Sequence, residues 1–124
     1  MNFGQRRFQA ENWSEIVLAN ATQDIWDFTV PMKCVLELVE FGNYMDTVAA
    51  WGTNYFYFTQ NGVPFNFAGG YPNILDQVGY AAQRQRFDPI CFTGGNRIQC
   101  WGVEATGANV DMGISVGYNL IDQE

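Results

Sequence analysis

The sequence predicts an all-β fold, an antiparallel two-sheet β-sandwich of jelly-roll type, and three observations carry that prediction. Asn61-Gly62 stands between two aromatic runs, and Asn-Gly is the favoured pair of a type I′ hairpin because both central residues need positive φ. Val110, Met112, Ile114, Val116 and Tyr118 alternate with Asp111, Gly113, Ser115, Gly117 and Asn119, the period of a half-buried antiparallel strand. Between these two segments and before them, short alternating runs are punctuated by Gly, Pro and Asn, which is the pattern of many short strands.

Residues 1–12 are polar and lack a clean period, so they read as an N-terminal arm preceding a single domain over 13–124. Trp13 to Ala19 and Asp24 to Val30 are the first two strands, separated by Asn20-Ala21-Thr22. Pro31, with no N–H to donate, interrupts pairing. In the strand from Lys33 to Phe41, Cys34, Leu36 and Leu38 share one face and Val35, Glu37 and Val39 the other. Apolar groups on both sides predict a central strand.

Around the Asn61-Gly62 turn, Gln60 lies opposite Val63, Phe58 opposite Phe65, and Phe56 opposite Phe67. The four Phe fall on one face as two cross-strand pairs, each worth about 0.2–1 kcal/mol beyond burial. Tyr55 and Tyr57 point the other way. Gly69-Gly70-Tyr71-Pro72 breaks the hairpin, and Asn73 to Gln85 reads equally as a loop, a short helix or an irregular edge strand. Ile74, Val78 and Ala81 have helical spacing, which Gly79 weakens. Arg86 to Phe92 and Arg97 to Ala105 are expected to form a second hairpin about Thr93-Gly94-Gly95-Asn96, with Cys91 and Cys100 as diagonal neighbours and no disulfide between them.

Composition limits function. Of 124 residues, 48% are hydrophobic, 16% aromatic and only 15% charged, against about a quarter charged in an average soluble domain. A domain of this size cannot hide twenty aromatic rings (ten Phe, six Tyr, four Trp) in one core, and exposed aromatic area marks a contact surface. The net charge of −7 argues against nucleic acid, which requires a basic patch to displace phosphate counterions. Arg6-Arg7 is the one local concentration of positive charge, and by itself reads as a solvated pair. No run approaches the roughly 18 apolar residues of a membrane span, and the first residues lack the apolar stretch of a secretory signal. Cys34, Cys91 and Cys100 show no Cys-x-x-Cys spacing and are expected as buried free thiols of a protein made in a reducing cytoplasm.

No catalytic constellation emerges, and no enzyme is expected. The chain has no histidine, which removes the commonest general base, the usual protease triads and most zinc sites. Asp24 with Asp27, or Glu37 with Glu40, sit where solvated strand edges place acids, not where a glycosidase pair is evident. No calcium-loop motif is present, and neither Gly69-Gly70 nor Gly94-Gly95 opens a helix as a phosphate loop would. Asn20-Ala21-Thr22 matches the glycosylation triplet but reads as a chance match. No cofactor or metal is expected. Trp51, Tyr55, Tyr57, Tyr71 and Trp101 fall opposite or outside the Phe-lined core and are the candidate contact residues.

The layout of segments resembles a known family. A strand ending in Val30-Pro31 leads to the apolar run Cys34 to Phe41, then to the aromatic strand closing on Asn61-Gly62. Phe87-Asp88-Pro89-Ile90, the Gly94 to Asn96 turn, the alternating Ile98 to Glu104 and a final strand closing on Gly117-Tyr118 follow. This order resembles the small jelly-roll domains of tailed-bacteriophage virions, among them capsid cement (decoration) proteins and head- or tail-attached appendages, over residues 14–121. The likeness lies in strand order and turn placement and includes no ligand motif. It implies a structural virion protein on the capsid exterior, made in the host cytoplasm, that binds across major capsid protein subunits and copies of itself, typically as a homotrimer. Residues 1–12, with Arg6 and Arg7, would then grip the capsid. The alternative is a carbohydrate-binding or receptor-binding β-sandwich module, in which Trp51, Tyr71 and Trp101 would stack on a glycan.

Overall fold

The computed structural model describes residues 6–47, 50–66, 73–78 and 84–123. Among the described residues there are eight strands: β1 (Arg6–Val17), β2 (Thr22–Thr29), β3 (Cys34–Met45), β4 (Tyr55–Gln60), β5 (Val63–Phe65), β6 (Gln85–Thr93), β7 (Arg97–Val103) and β8 (Val110–Asp122). They form two four-stranded antiparallel sheets, in the orders β1-β8-β3-β6 and β2-β7-β4-β5. This interleaved order is that of a jelly-roll β-sandwich, as the sequence predicted.

The core lies between the sheets, built from the inward rows of alternating strands. Leu36, Leu38 and Phe41 of β3 and Val110, Met112, Ile114, Val116 and Tyr118 of β8 come from the first sheet. Trp26, Phe56, Phe58, Ile98 and Cys100 come from the second. Phe41 meets Phe58 edge-on at 5.4 Å, and Trp26 meets Phe58 the same way at 6.5 Å, the geometry that aromatic quadrupoles favour. Val39 sits in a bulge of β3, between Leu38 and Glu40, which keeps both Leu38 and Phe41 inward.

The Asn61-Gly62 turn forms as predicted, with φ of 50° and 83°, and it sets Gln60 opposite Val63 and Phe58 opposite Phe65. Phe67 lies outside the described residues. Ile74 makes an isolated antiparallel bridge to Phe56, so the start of the ambiguous 73–85 segment is extended, and the segment ends in β6.

Three expectations are corrected. Residues 6–12 are not an arm: they are the first part of β1 and pair with β8 from Arg6↔Ile121 onward. The period was unreadable there because β1 is an outermost strand whose residues before Val17 are exposed or half-buried on both faces. The first five residues of the expected arm lie outside the described residues.

Residues 86–92 and 97–105 do not form a hairpin, since β6 pairs with β3 in the first sheet while β7 lies between β2 and β4 in the second. The Thr93–Asn96 turn is a corner tied to Val30, whose N–H donates to the Asn96 carbonyl at 2.9 Å and whose carbonyl accepts from Gly95 N–H at 2.8 Å. A side chain at Gly94 would stand 2.8 Å from the Pro31 carbonyl oxygen, so this close approach requires glycine. Finally, Cys34 and Cys100 are buried thiols, but Cys91 is exposed, because β6 turns it to the outer face opposite Glu37.

Candidate functional site

The β4 sequence Tyr-Phe-Tyr-Phe sorts itself by period. Phe56 and Phe58 are fully buried, while Tyr55 and Tyr57 lie half-buried on the outer face of the second sheet. Across the ladder, Ile98, Cys100 and Gly102 of β7 face inward and Gln99, Trp101 and Val103 face outward. A side chain at Gly102 would come within 2.7 Å of Ile25 Cδ1 and 3.3 Å of Met112, so the inward row narrows to glycine there. The pairing sets Tyr55 opposite Val103 and Tyr57 opposite Trp101.

These residues make a continuous aromatic face. The Tyr57 and Trp101 rings stack with centroids 6.3 Å apart and planes 14° from parallel, and Tyr55 adjoins Tyr57 at 6.3 Å. Trp101 Nε1 donates to Thr59 Oγ1 at 3.0 Å, which satisfies the indole N–H and fixes its orientation. Beside the stack lies a hollow of 290 Å³ lined by Thr22, Tyr55, Tyr57, Pro64, Asn73 and Val103.

The rim toward β2 is polar. Gln99 Nε2 donates to Asp24 at 2.8 Å, and the Arg97 guanidinium makes a two-pronged contact with Asp27. The hydrogen bond from Arg97 holds the Asp27 carboxyl below its ordinary range. Burial, followed by the neighbouring Tyr55 and Cys100, pushes the Tyr57 phenol up, so it stays a neutral donor at physiological pH. The patch is therefore an uncharged aromatic centre with carboxylates on one margin, able to stack on and hydrogen-bond to a flat partner.

Tyr55, Tyr57 and Trp101, three of the predicted contact residues, thus come together. Trp51 does not join them: it packs against the core, 6.2 Å from the inward ring of Phe56. Tyr71 lies outside the described residues. Arg6 and Arg7 are spent within the domain, Arg6 on Glu37 at 2.8 Å and Arg7 on Asp122 at 2.9 Å, and so pin β1 to its own sheet. Val103, Pro64 and Thr22 were not anticipated. Their signal was the outward parity shared with Tyr55, which needs the β4–β7 register to be seen.

The acids are not arranged as first expected either. Glu37 and Glu40 lie on central β3 instead of a sheet edge, and both are paired with arginines, Glu40 with Arg84 at 2.9 Å and Arg86 at 3.0 Å. Asp24 and Asp27 do lie on an outermost strand, β2.

Glu104, at the end of β7, is a buried carboxylate that sequence reading passed over. It accepts from Thr106 N–H at 2.6 Å, Thr106 Oγ1 at 2.9 Å, Gly107 N–H at 2.6 Å and Ala108 N–H at 2.8 Å. Burial alone pushes this carboxyl up, but the hydrogen bonds together outweigh it and bring the pKa to about 2. All four donors belong to the turn into β8, so the cluster builds the connection between the sheets. Among the described residues, no three His, Cys, Asp or Glu side chains converge as a metal site would require.

The fold is a jelly-roll sandwich, and this face carries its partly exposed aromatic patch. Compared in sequence with family models and with characterised proteins, the chain matches none.

Proposed function

We propose that this chain is a structural binding subunit of a tailed-phage virion, a cement or decoration protein that docks on the major capsid protein through the outer face of the β2-β7-β4-β5 sheet. One observation carries the reading: Tyr55, Tyr57 and Trp101 form one half-buried, uncharged patch on that face. Tyr and Trp are the residues enriched where a protein interface is most desolvated. The jelly-roll strand order fits the resemblance already drawn. With Asp27 already paired to Arg97 and Asp24 held by Gln99 along one margin, the matching partner surface is flat and mainly apolar. Many copies on one particle make avidity, not single-site affinity, the source of attachment.

The near-parallel Tyr57 and Trp101 rings favour one second reading, since adjacent coplanar rings also suit the apolar face of a sugar. In that case the chain is a glycan- or receptor-binding module of a fibre or appendage.

Gradient sedimentation of particles with the wild-type chain and with the Tyr57→Ala/Trp101→Ala variant separates these readings. The wild type is expected to travel with the heads, and the variant, folded by circular dichroism, to stay at the top. A variant that loads at wild-type stoichiometry rejects this face. A wild-type chain that ignores heads but is retained on a glycan surface moves the conclusion to sugar binding.

A further inference from the structure

A sandwich of two open sheets has four outermost strands, and here three of them are obstructed. β5 is three residues long and contains Pro64. β6 contains Pro89, and its register with β3 breaks between Leu38 and Glu40. β2 is broken by a bulge between Asp24 and Trp26. Proline, shortness and bulges are the ordinary means by which sheet edges are kept from pairing.

β1 has no proline, shortness or bulge, and of its charged side chains Arg6, Arg7 and Glu11 are engaged within the domain, which leaves Glu15 as the charge against pairing. It runs for 12 residues without proline, and its register with β8 is continuous from Arg6 to Val17. Alternate residues therefore turn N–H and C=O groups to its free side, and among the described residues no strand pairs there. It also carries three of the largest exposed apolar side chains of the molecule, Phe8, Trp13 and Ile16.

We infer that β1 is a self-association strand, pairing antiparallel with β1 of a second copy so that two β1-β8-β3-β6 sheets become one continuous eight-stranded sheet. The occupant and the register follow from the sequence of the strand. A twofold axis normal to the sheet keeps inner residues beside inner residues, so only registers centred on a residue are allowed. Centred on Asn12, Phe8 meets Ile16 of the second copy, Ala10 meets Ser14, Gln9 meets Glu15, and Glu11 meets Trp13.

The neighbouring registers are worse. Centring on Glu11 opposes two carboxylates across the axis, and centring on Trp13 sets Glu11 against Glu15 twice. Centring on Ala10 leaves Ile16 uncovered, and centring on Ser14 leaves Phe8 uncovered. Charge and apolar pairing select the Asn12 register. This contact satisfies the free side of β1 in both copies and closes at two, unlike the trimer that the family resemblance implies. It does not use the aromatic face, so it stands or falls separately from the docking proposal.

The test is register-specific and uses the whole chain with Cys91→Ser, which removes the exposed native thiol. Sedimentation should give twice the 14.0 kDa chain mass. Opposed Cα atoms in an antiparallel pair are about 4.5–5.5 Å apart, within disulfide range. Asn12→Cys should therefore convert to a disulfide-linked dimer on mild oxidation, while Ala10→Cys, displaced from its own copy, should remain unlinked. Asn12→Lys, at an exposed position that does not endanger folding, sets two cations on the axis and should weaken the dimer at least tenfold. A monomeric wild type, equal cross-linking of Ala10→Cys and Asn12→Cys, or an Asn12→Lys chain that dimerises as well as wild type would each overturn the assignment.

Discussion

The two outer faces of the sandwich follow the same alternation and reach opposite results. On the first sheet, the outward row of β8 is Gly113, Ser115 and Gly117, flanked by Gly42 of β3. With no bulk in the row, longer neighbours lie flat across it. A side chain at Gly117 would stand 2.8 Å from Glu40 Oε1 and 3.0 Å from the Phe8 ring, and one at Gly113 would stand 3.1 Å from Ser14 Cβ. Arg84 clamps the cover in place by reaching both Glu40 and Ser115 Oγ, the latter at 3.1 Å. All three β8 residues are consequently buried on a face with no second sheet over it.

On the second sheet the outward rows are Tyr55, Tyr57, Thr59 and Gln99, Trp101, Val103. Bulky rings occupy these rows and stand partly exposed, with a hollow beside them. One face buries its small central row under neighbouring side chains, with Phe8 and Tyr44 still exposed around it; the other carries partly exposed rings. Substitutions on the first should register in stability and those on the second in binding.

The sharpest form of this contrast sits within β4, where neighbours point opposite ways. Phe58→Ala empties a fully buried site against Trp26 and Phe41 and is expected to cost about 3–5 kcal/mol in urea unfolding. A cost comparable to that of Tyr57→Ala would mean that β4 does not separate a core face from a docking face.

The joint between the sheets should respond next. Glu104→Gln keeps the shape but removes the charge that four donors address, with an expected loss of about 1–3 kcal/mol at neutral pH. The wild-type pKa of about 2 lies below the ordinary 4.5. This contribution is thus present in full above about pH 5 and is lost as pH falls toward the folded pKa. Stability curves of wild type and variant should therefore converge in acid. A constant offset from neutral to strongly acidic pH would show that the carboxylate charge is not what holds the turn.

Much of this was legible in the sequence because it rests on local chemistry. Positive φ at Asn61 and Gly62 is demanded by those residue types, and the β8 inward row needs only its period. The assignment of Tyr55 and Tyr57 to the outer face followed from parity alone. The β6–β7 corner was not legible, because Gly94-Gly95 suits a hairpin turn as well as a corner. The choice was made by distant strands, with β3 taking β6 and β2 taking β7. β1 was hidden for a related reason: a strand exposed on both faces leaves no alternation to read. Trp51 was misplaced because its neighbours in space, and not its own spacing, fold it onto Phe56.

The covered β8 row of the first sheet gives a smaller effect. Glu40→Ala strips the shared partner from Arg84 and Arg86 and uncovers Gly117. Part of the network is exposed to solvent, so about 1–2 kcal/mol is expected. In a double-mutant cycle with Arg84→Ala, the coupling should exceed that with Arg86→Ala, because Arg84 is the better buried and also reaches Ser115. Equal couplings would mean that the cover is a loose ion cluster and not a clamp.

The smallest stability change is expected where the functional change is largest. Tyr57→Ala removes a ring that stacks on Trp101 but closes no part of the core. Part of its surface already faces water, so truncation forfeits only partial burial and one ring contact, within about 1.5 kcal/mol of wild type. Docking is different, because a central aromatic in a desolvated patch typically contributes 2 kcal/mol or more to binding, roughly a thirtyfold weakening on removal. Titration of the particle with wild-type and Tyr57→Ala chains, beside urea curves of both, reads the two quantities independently. A variant that binds normally and unfolds early would assign this face to the fold of the domain and leave the first sheet as the better candidate for contact.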